Sequence, residues 1–285
     1  MQVATTIPSA RQAVEQARAE GRRIGLVPTM GALHAGHLAL VEECRRLADY
    51  AAVSIFVNPA QFGPGEDYDR YPRVLEDDLR MCEAAGVDLV FKPSADEMYP
   101  RGVPDATFVE VPGLSHVFEG VIRPTHFRGV ATVVLGLFEI VRPDVAVFGQ
   151  KDYQQQALLR RMVEDLHVPV EIVVHPIVRE PDGLAMSSRN IYLDPDQRRG
   201  SLALRRALEA AVAAVAAGES DADRVRQILR SPIESEGAAV LDYAEVVDAL
   251  SLEKLGRIEP GRTAVALVAA RFGKTRLIDN ARLTE

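Results

Sequence analysis

Short apolar runs alternate with amphipathic stretches over the first 180 residues of the chain. The runs are continuous rather than alternating apolar and polar, which is typical of parallel strands buried on both faces. The pattern predicts strands at 23–29, 51–58, 87–93, 144–149 and 170–176, and helices at 9–20, 36–49, 73–85, 129–142 and 152–166. Strands that alternate with helices predict an α/β fold with a Rossmann-like, doubly wound parallel sheet in the N-terminal domain.

The pattern changes after a Pro-Asp-Gly turn signal at Pro181–Gly183. An alanine-rich helix is predicted at 201–218, and strand-like runs follow at 240–248 and 263–272. A helix followed by strands predicts a smaller α+β domain. The sequence is therefore divided into one domain of residues 1–180 and a second of residues 181–285.

Composition narrows the possible partners of this chain. Of its 285 residues, 47% are hydrophobic and 26% are charged, as in ordinary globular proteins. The net charge of −8 argues against nucleic-acid binding, which uses basic surfaces. No apolar run approaches the ~18 residues of a membrane span, and the N-terminus lacks the pattern of a secretory signal. We expect a cytoplasmic protein with no nucleic-acid or membrane partner, in which Cys44 and Cys82 are buried free thiols.

Two histidines follow the first strand of the predicted sheet and stand at the start of helix 36–49. His34, Gly36 and His37 form an H-x-G-H motif within "PTMGALHAGH". A doubly wound fold binds phosphate at this place, because the N–H groups and dipole of a helix N-terminus favour anions. The imidazoles can donate hydrogen bonds to phosphate oxygens, and Gly36 lets a base approach the backbone. A plain helix cap and a zinc site remain alternatives, although no further cluster of zinc ligands stands out.

Three further polar segments lie at strand ends or on the crossover to the second domain. Asn58 and Gln61 lie at the carboxyl end of the second strand, where amides can hydrogen-bond a small molecule. Lys151 opens a helix in "FGQKDYQQQ" (148–156), a position that disfavours a cation unless an anion binds there. The segment "GLAMSSRN" (183–190) combines two hydroxyls with a guanidinium, as in a phosphate clamp. Turn or capping chemistry is the alternative for each segment.

In combination, these motifs resemble the pantothenate synthetase (pantoate–β-alanine ligase) family of the nucleotidylyltransferase superfamily. H-x-G-H resembles the "HIGH" signature of that superfamily, and "MSSRN" resembles its "KMSKS" counterpart. The resemblance extends in order over most of the chain through "VSIFVNPAQF", "EDYDRYPR", "EMYP", "FEGVIRPTHFRGVATVV", "FGQKDYQQ", "VREPDGLAMSSRNIYL" and "RLIDN". Two positions depart from it: Gly136 stands where the family often has lysine, and Phe118 replaces a common leucine.

The resemblance implies a two-step reaction that belongs to pantothenate and coenzyme A biosynthesis. The pantoate carboxylate attacks the α-phosphate of ATP in the presence of Mg²⁺, which gives pantoyl adenylate and pyrophosphate. The β-alanine amine then attacks the activated acyl carbon and releases pantothenate and AMP. The resemblance further implies a C-terminal lid domain and a homodimer. Another nucleotide-transferring enzyme of the superfamily and a catalytically silent nucleotide-binding module are the rival hypotheses.

For catalysis the resemblance implies His34, His37, Lys151 and Arg189, with His37 as proton donor or as a group that stabilises charge on the phosphates. It leaves the Mg²⁺ ligands unknown, although the acidic pair Asp77–Asp78 is near the motifs in sequence.

For substrate binding it implies Gln61 and Gln155 for pantoate, and Gln61 also for β-alanine. The residues implied for ATP binding are Met30, Gly31, Ala32, Leu33, His34, Ala35, Gly36, His37, Gly149, Gln150, Lys151, Asp152, Val178, Met186, Ser187, Ser188 and Arg189.

Overall fold

The computed structural model describes residues 1–284, which separate into two compact units. One unit comprises Met1–Gly149 and Leu158–His175, and the other comprises Gln150–Ala157 and the described chain from Pro176 onward. A division at residue 180 assigns residues 150–157 and 176–180 to the first domain, so the two divisions differ in those two segments.

The first unit is built on a sheet of six parallel strands with the order β1-β4-β3-β2-β5-β6. Its strands are β1 (Gln2–Ala4), β2 (Ile24–Thr29), β3 (Tyr50–Ile55), β4 (Leu89–Phe91), β5 (Val145–Gly149) and β6 (Glu171–His175). Its helices are α1 (Ile7–Ala19), α2 (Ala35–Leu47), α3 (Leu75–Ala84), α4 (Ala95–Met98), α5 (Pro112–Ser115), α6 (Glu119–Ile122) and α7 (His126–Val141); α8 (Tyr153–Asp165) begins in the second unit, and Pro59–Gln61 form a 3₁₀ turn.

The strand order confirms the predicted Rossmann-like sheet. From β2 the chain proceeds to β3 on one side, whereas β5 pairs with the other side of β2. Ligands of doubly wound folds bind beyond the carboxyl ends of the strands at such a reversal. The segment that joins β2 to α2 therefore lies at the expected ligand-binding edge. The five predicted strands are all present, and β1 was not predicted because its three residues, Gln2–Ala4, carry too short a pattern.

Burial explains why these strands read as continuous apolar runs. Every residue of β3 is buried, and β2 is buried except at Pro28. Helix α2 packs closely on β2, since a Cβ added to Gly25 would lie 2.4 Å from the sulfur of Cys44. Cys44 and Cys82 are free and buried, as predicted, and burial raises the pKa of their thiols to about 12 and about 11.

The second unit has an antiparallel sheet of order β7-β8-β9 that packs with two long helices into a separate core. Its elements are α9 (Pro195–Ala216), α10 (Ala222–Glu234), β7 (Ala239–Asp248), β8 (Ala264–Phe272), β9 (Thr275–Arg282) and a 3₁₀ turn at Ser188–Tyr192. Asp194 caps α9, and Gln197 completes a capping box, so the helix starts before the alanine-rich run. The predicted α+β fold is confirmed, but α10 and β9 were not predicted. Among the described residues, none of the helices combines the length and the apolar character needed to cross a membrane.

Candidate active site

A buried carboxylate fixes the loop between β2 and α2. Asp78 on α3 is only 2% exposed, and it accepts hydrogen bonds from the backbone N–H groups of Ala32 (3.0 Å) and Leu33 (2.7 Å). Burial raises the pKa of Asp78, and these two hydrogen bonds act in the opposite direction. Gly31 and Ala32 both have positive φ, and a Cβ on Gly31 would lie 2.8 Å from Asp78 Oδ2. Asp78 therefore positions this loop, and both of its oxygens are engaged.

The two histidines of H-x-G-H cap α2 reciprocally. His34 Nδ1 accepts from the backbone N–H of Gly36 at 3.1 Å, and His37 Nδ1 accepts from the backbone N–H of His34 at 3.3 Å. The rings stack with their centroids 4.1 Å apart. Because Nδ1 is an acceptor in each ring, the neutral imidazole carries its proton on Nε2. Both rings thus hold an Nε2–H donor beside a helix N-terminus, where the dipole favours anions.

This geometry bears on two of the three uses that the sequence left open, the helix cap and the zinc site. The helix-cap alternative is confirmed, and it is compatible with phosphate binding because capping uses Nδ1, whereas a phosphate oxygen would accept from Nε2–H. The zinc alternative has no ligand set, because no three His, Cys, Asp or Glu side chains of residues 1–284 form a group that could hold a metal ion.

A buried amide network orients Gln61. Asn58, 1% exposed, donates to Gln61 Oε1 (3.1 Å) and to the Gly129 carbonyl (3.1 Å), and it accepts from the Tyr99 hydroxyl at 2.8 Å. Gln61 Nε2 lies 3.1 Å from the sulfur of Met30, to which it donates. The structure therefore brings together two residues that the resemblance assigns to ATP and to pantoate. Since Oε1 of Gln61 accepts from Asn58, its NH₂ group is the end that can meet a carboxylate.

Helix α7 packs against the 3₁₀ turn that carries Gln61. A Cβ on Gly129 would lie 2.3 Å from the Ala60 carbonyl oxygen, so the two backbones touch with no room for a side chain. The Gln61 carbonyl lies 2.9 Å from His126 Nδ1 and accepts from Arg123 at 3.3 Å. These supporting contacts were not predicted, because the partners are far apart in sequence.

In the second unit, the segment that carries Lys151 is held by an asparagine of β9. Asn280, 2% exposed, donates to the carbonyls of Gln150 (3.0 Å) and Lys151 (2.9 Å) and accepts from Gln150 Nε2 at 3.1 Å. Helix α8 then begins with a hydrogen bond from Gln156 N–H to the Asp152 carbonyl (3.1 Å), and Gln155 is half-buried in the first turn. Asn280 was not singled out as a site residue from the sequence.

The segment that contains MSSRN forms the end of a small hairpin. The Met186 N–H donates to the Val178 carbonyl at 3.0 Å, and Arg179 pairs with Asp279 through contacts of 2.7 and 3.0 Å. Ser187 then caps the following 3₁₀ turn by accepting from the Arg189 N–H at 3.3 Å. Ser187, Ser188 and Arg189 therefore form the start of a capped 3₁₀ turn that directly follows the hairpin.

The predicted site residues fall into two groups. The first unit holds Met30–His37, Gln61 and Gly149, and the second holds Gln150–Asp152, Gln155, Val178 and Met186–Arg189. The acidic pair considered for Mg²⁺ does not form a set of metal ligands, because Asp78 accepts hydrogen bonds from the loop backbone and Asp77 forms an ion pair with Arg80.

A parallel sheet with a histidine-capped helix after β2 defines the class of α/β nucleotide-binding enzymes that carry an H-x-G-H motif. Comparison with known proteins narrows this class. A family model described as pantoate-beta-alanine ligase matches residues 2–282. Pantothenate synthetase of Acetivibrio thermocellus is 53% identical over 98% of each chain, and that of Chloroflexus aurantiacus is 55% identical over 93% of each.

Solved structures agree. The crystal structure of pantothenate synthetase from Thermus thermophilus has a TM-score of 0.93 and 46% identity and covers 100% of both chains. That of pantoate-beta-alanine ligase from Francisella tularensis, complexed with beta-gamma ATP and beta-alanine, has a TM-score of 0.78 and 31% identity over 99% of this chain and 98% of that one. The chain belongs to the pantoate–β-alanine ligase family and is a ligase of pantothenate biosynthesis. Both rival hypotheses, another nucleotide-transferring enzyme and a silent nucleotide-binding module, are thereby set aside.

Proposed function

We propose that the H-x-G-H segment binds the ATP phosphates and that His34 and His37 act there as neutral hydrogen-bond donors. The observation that carries this proposal is the reciprocal cap, which engages Nδ1 of both rings and so places the proton of each neutral ring on Nε2. A second proton would have to displace a cap hydrogen bond, and the helix dipole disfavours a cation at this end. Of the two roles considered for His37, stabilisation of phosphate charge fits better than proton donation.

Lys151 and Arg189 supply positive charge for the same substrate. Attack of the pantoate carboxylate on the α-phosphate releases pyrophosphate, and negative charge grows on the leaving group in the transition state. Fixed donors and cations lower the barrier of such a step more than covalent participation does. Ser187, Ser188 and Met186 contribute to the triphosphate contacts, and the backbone of Val178 contacts the adenine.

Pantoate is bound by the amides of Gln61 and Gln155. Amides orient a carboxylate without neutralising it, whereas a salt bridge to lysine or arginine would lower its nucleophilicity. The NH₂ group of Gln61 can donate to the carboxylate because its Oε1 already accepts from Asn58. Gln61 also marks the position of β-alanine, whose amine attacks the acyl carbon of pantoyl adenylate and releases AMP.

Mg²⁺ enters as part of the substrate MgATP. Magnesium in phosphoryl-transfer sites is commonly bound by phosphate oxygens and waters with one or two carboxylates, rather than by a protein cage. The described residues fit this mode, since no acidic cluster among them forms a cage and Asp77, the chain neighbour of the loop-holding Asp78, is exposed. We further propose a cytoplasmic homodimer, for which sedimentation should give twice the chain mass of 31.1 kDa.

The experiment that tests the phosphate role measures pantoate-dependent ATP–pyrophosphate exchange in variants of His37. His37→Ala should lower the exchange rate by about 100-fold or more, as expected for the loss of a transition-state contact. His37→Ser is the matched control, because a serine at the same helix position, Ser9, closes the capping box of α1 but is too short to present a donor where the ring has its Nε2–H. We expect His37→Ser to melt near the wild-type temperature and to remain as slow as His37→Ala. Recovery of exchange in His37→Ser would reduce the role of His37 to capping.

A further inference from the structure

Two adjacent residues of β9 hold the two segments of the second unit that the proposed function assigns to ATP. Asp279 and Asn280 are 3% and 2% exposed, in a sheet whose buried residues are otherwise mostly apolar. Buried polar side chains carry a desolvation cost unless they are fully hydrogen-bonded. The hydrogen-bond partners of Asp279 and Asn280 therefore explain why these polar side chains are buried in the sheet.

Asn280 uses its whole side-chain amide on one segment. Its two N–H donors reach consecutive carbonyls, those of Gln150 and Lys151, at 3.0 and 2.9 Å, and its oxygen accepts from the Gln150 side chain at 3.1 Å. Two donors on consecutive carbonyls fix the orientation of the peptide unit between them. The starting direction of the Lys151 side chain is set by that backbone.

Asp279 makes the corresponding contact with the other segment. Its oxygens accept from both terminal nitrogens of Arg179, at 2.7 and 3.0 Å, and Arg179 also donates to the Gly183 carbonyl at 3.1 Å. Arg179 stands next to Val178 in the hairpin that leads to Met186. Because successive side chains of a strand point to opposite faces, one dipeptide can reach two different segments.

We propose that Asp279 and Asn280 are positioning residues for ATP, with Asn280 acting through Lys151 on the phosphates and Asp279 acting through the hairpin on the adenine. The proposal rests on the proposed function, because it takes the ligand of both segments from there. A purely structural role would affect every ligand equally. A positioning role predicts that the two residues affect different parts of the same nucleotide.

The test measures calorimetric binding of a non-hydrolysable ATP analogue and of AMP to the full-length variants. Asn280→Ala should lower the affinity for the analogue by about tenfold or more, because displacement of a binding group by an ångström can have an effect of this size. Its affinity for AMP should stay within about twofold of that of the wild type. Asp279→Asn should lower the affinity for both ligands, because both contain the adenine that the hairpin is proposed to contact. In steady-state assays, Asn280→Ala should raise the KM for ATP and leave the KM for β-alanine unchanged.

Asp242→Asn is the matched control. It breaks other ion pairs of the same sheet, those of Asp242 with Arg276 (2.6 Å) and with Arg271. Asp242→Asn should leave the affinities for the ATP analogue and for AMP unchanged, although it should lower the melting temperature about as much as Asn280→Ala does. If Asn280→Ala fails to fold, Asn280→Ser, which keeps one donor, replaces it. Equal loss of analogue and AMP binding in the Asn280 variant would overturn the proposal in favour of a structural role.

Lys151→Ala separates the two levels of inference. If this variant binds the analogue normally, the proposed function of Lys151 fails. If Lys151→Ala weakens binding and Asn280→Ala does not, only the positioning role fails. The double variant should lose no more affinity than Lys151→Ala alone, because residues that act through one another are not additive.

Discussion

Asp78 is the residue on which the conformation of the H-x-G-H loop depends most directly. Its two oxygens accept from two successive backbone N–H groups, those of Ala32 and Leu33. In Asp78→Asn one oxygen is replaced by NH₂, which would face an N–H donor. We expect kcat/KM for ATP to fall by about tenfold, since an unmatched buried donor costs about 1–3 kcal/mol. Normal ATP kinetics in this variant would contradict the positioning role of the carboxylate.

The same carboxylate makes a prediction about pH and stability. Burial raises its pKa above the usual value of 3.8, so the folded protein holds this proton more tightly than the unfolded chain does. The stabilising contribution is therefore greatest when Asp78 is protonated, and it is lost as the pH rises through the raised pKa. As the pH rises from the usual value of 3.8 through the raised pKa, the free energy of unfolding of the wild type should fall relative to that of Asp78→Asn. Urea denaturation of both proteins across this range measures the difference, and a constant gap would refute the assignment.

Variants of Gln155 test the proposed binding of pantoate. It is half-buried, whereas its neighbours Gln154 and Gln156 are only 4% and 5% exposed. Gln155→Ala should raise the KM for pantoate by about tenfold, because one or two hydrogen bonds to a charged group are lost, and change the KM for ATP far less. Gln155→Glu has nearly the same shape but repels a carboxylate, so its effect on pantoate should be larger. Equal effects on pantoate and ATP would exclude Gln155 from the pantoate site.

At the scale of elements, helix α7 supplies a matched pair of glycines. A Cβ on Gly129 would lie 2.3 Å from the Ala60 carbonyl oxygen, whereas a Cβ on Gly136 would meet only the Met98 methyl at an ordinary 3.8 Å. Gly129→Ala should destabilise the protein by about 1–3 kcal/mol through overpacking and raise the KM for pantoate by displacing Gln61. Gly136→Ala should stabilise by about 0.5–1 kcal/mol, since alanine favours the helix. Denaturant melts and pantoate kinetics give both values, and similar results for the two variants would contradict the packing argument.

The elements that the sequence failed to predict have physical reasons. Strand β9 contains Asp279 and Asn280, which are rare in strands and typical of turns, and both are buried here because they bind other segments. Helix α10 contains Pro232, which ordinarily argues against a helix interior. In contrast, the continuous apolar runs of β2 and β3 predicted their strands correctly because burial on both faces leaves a simple pattern.

At the scale of the whole molecule, the motifs of the candidate site could be predicted from the sequence, whereas the long-range contacts that hold them in place could not. H-x-G-H can be read from adjacent residues, and its reciprocal cap follows from the spacing of a helix turn. The contacts of Asp78 with Leu33, of Asn58 with Gly129 and of Asn280 with Lys151 join residues that only the fold brings together. One sequence carries no pairing information of this kind, so the motifs were predictable and the residues that position them were not.

Substrate binding gives a prediction for the chain as a whole, because its two units have separate hydrophobic cores. The proposed function assigns ATP ligands to both units, and it therefore predicts that a bound nucleotide stabilises segments of each. A ligand at about 100 times its Kd stabilises the folded state by about 2.7 kcal/mol. Hydrogen exchange with a non-hydrolysable ATP analogue should therefore slow in Gly31–His37 and also in Gln150–Asp152 and Met186–Arg189. In Lys151→Ala the same total concentration should give weaker protection in all three segments, and restoring saturation with more analogue should recover it in Gly31–His37. Protection confined to one unit in the wild type would exclude the other unit's residues from the ATP site.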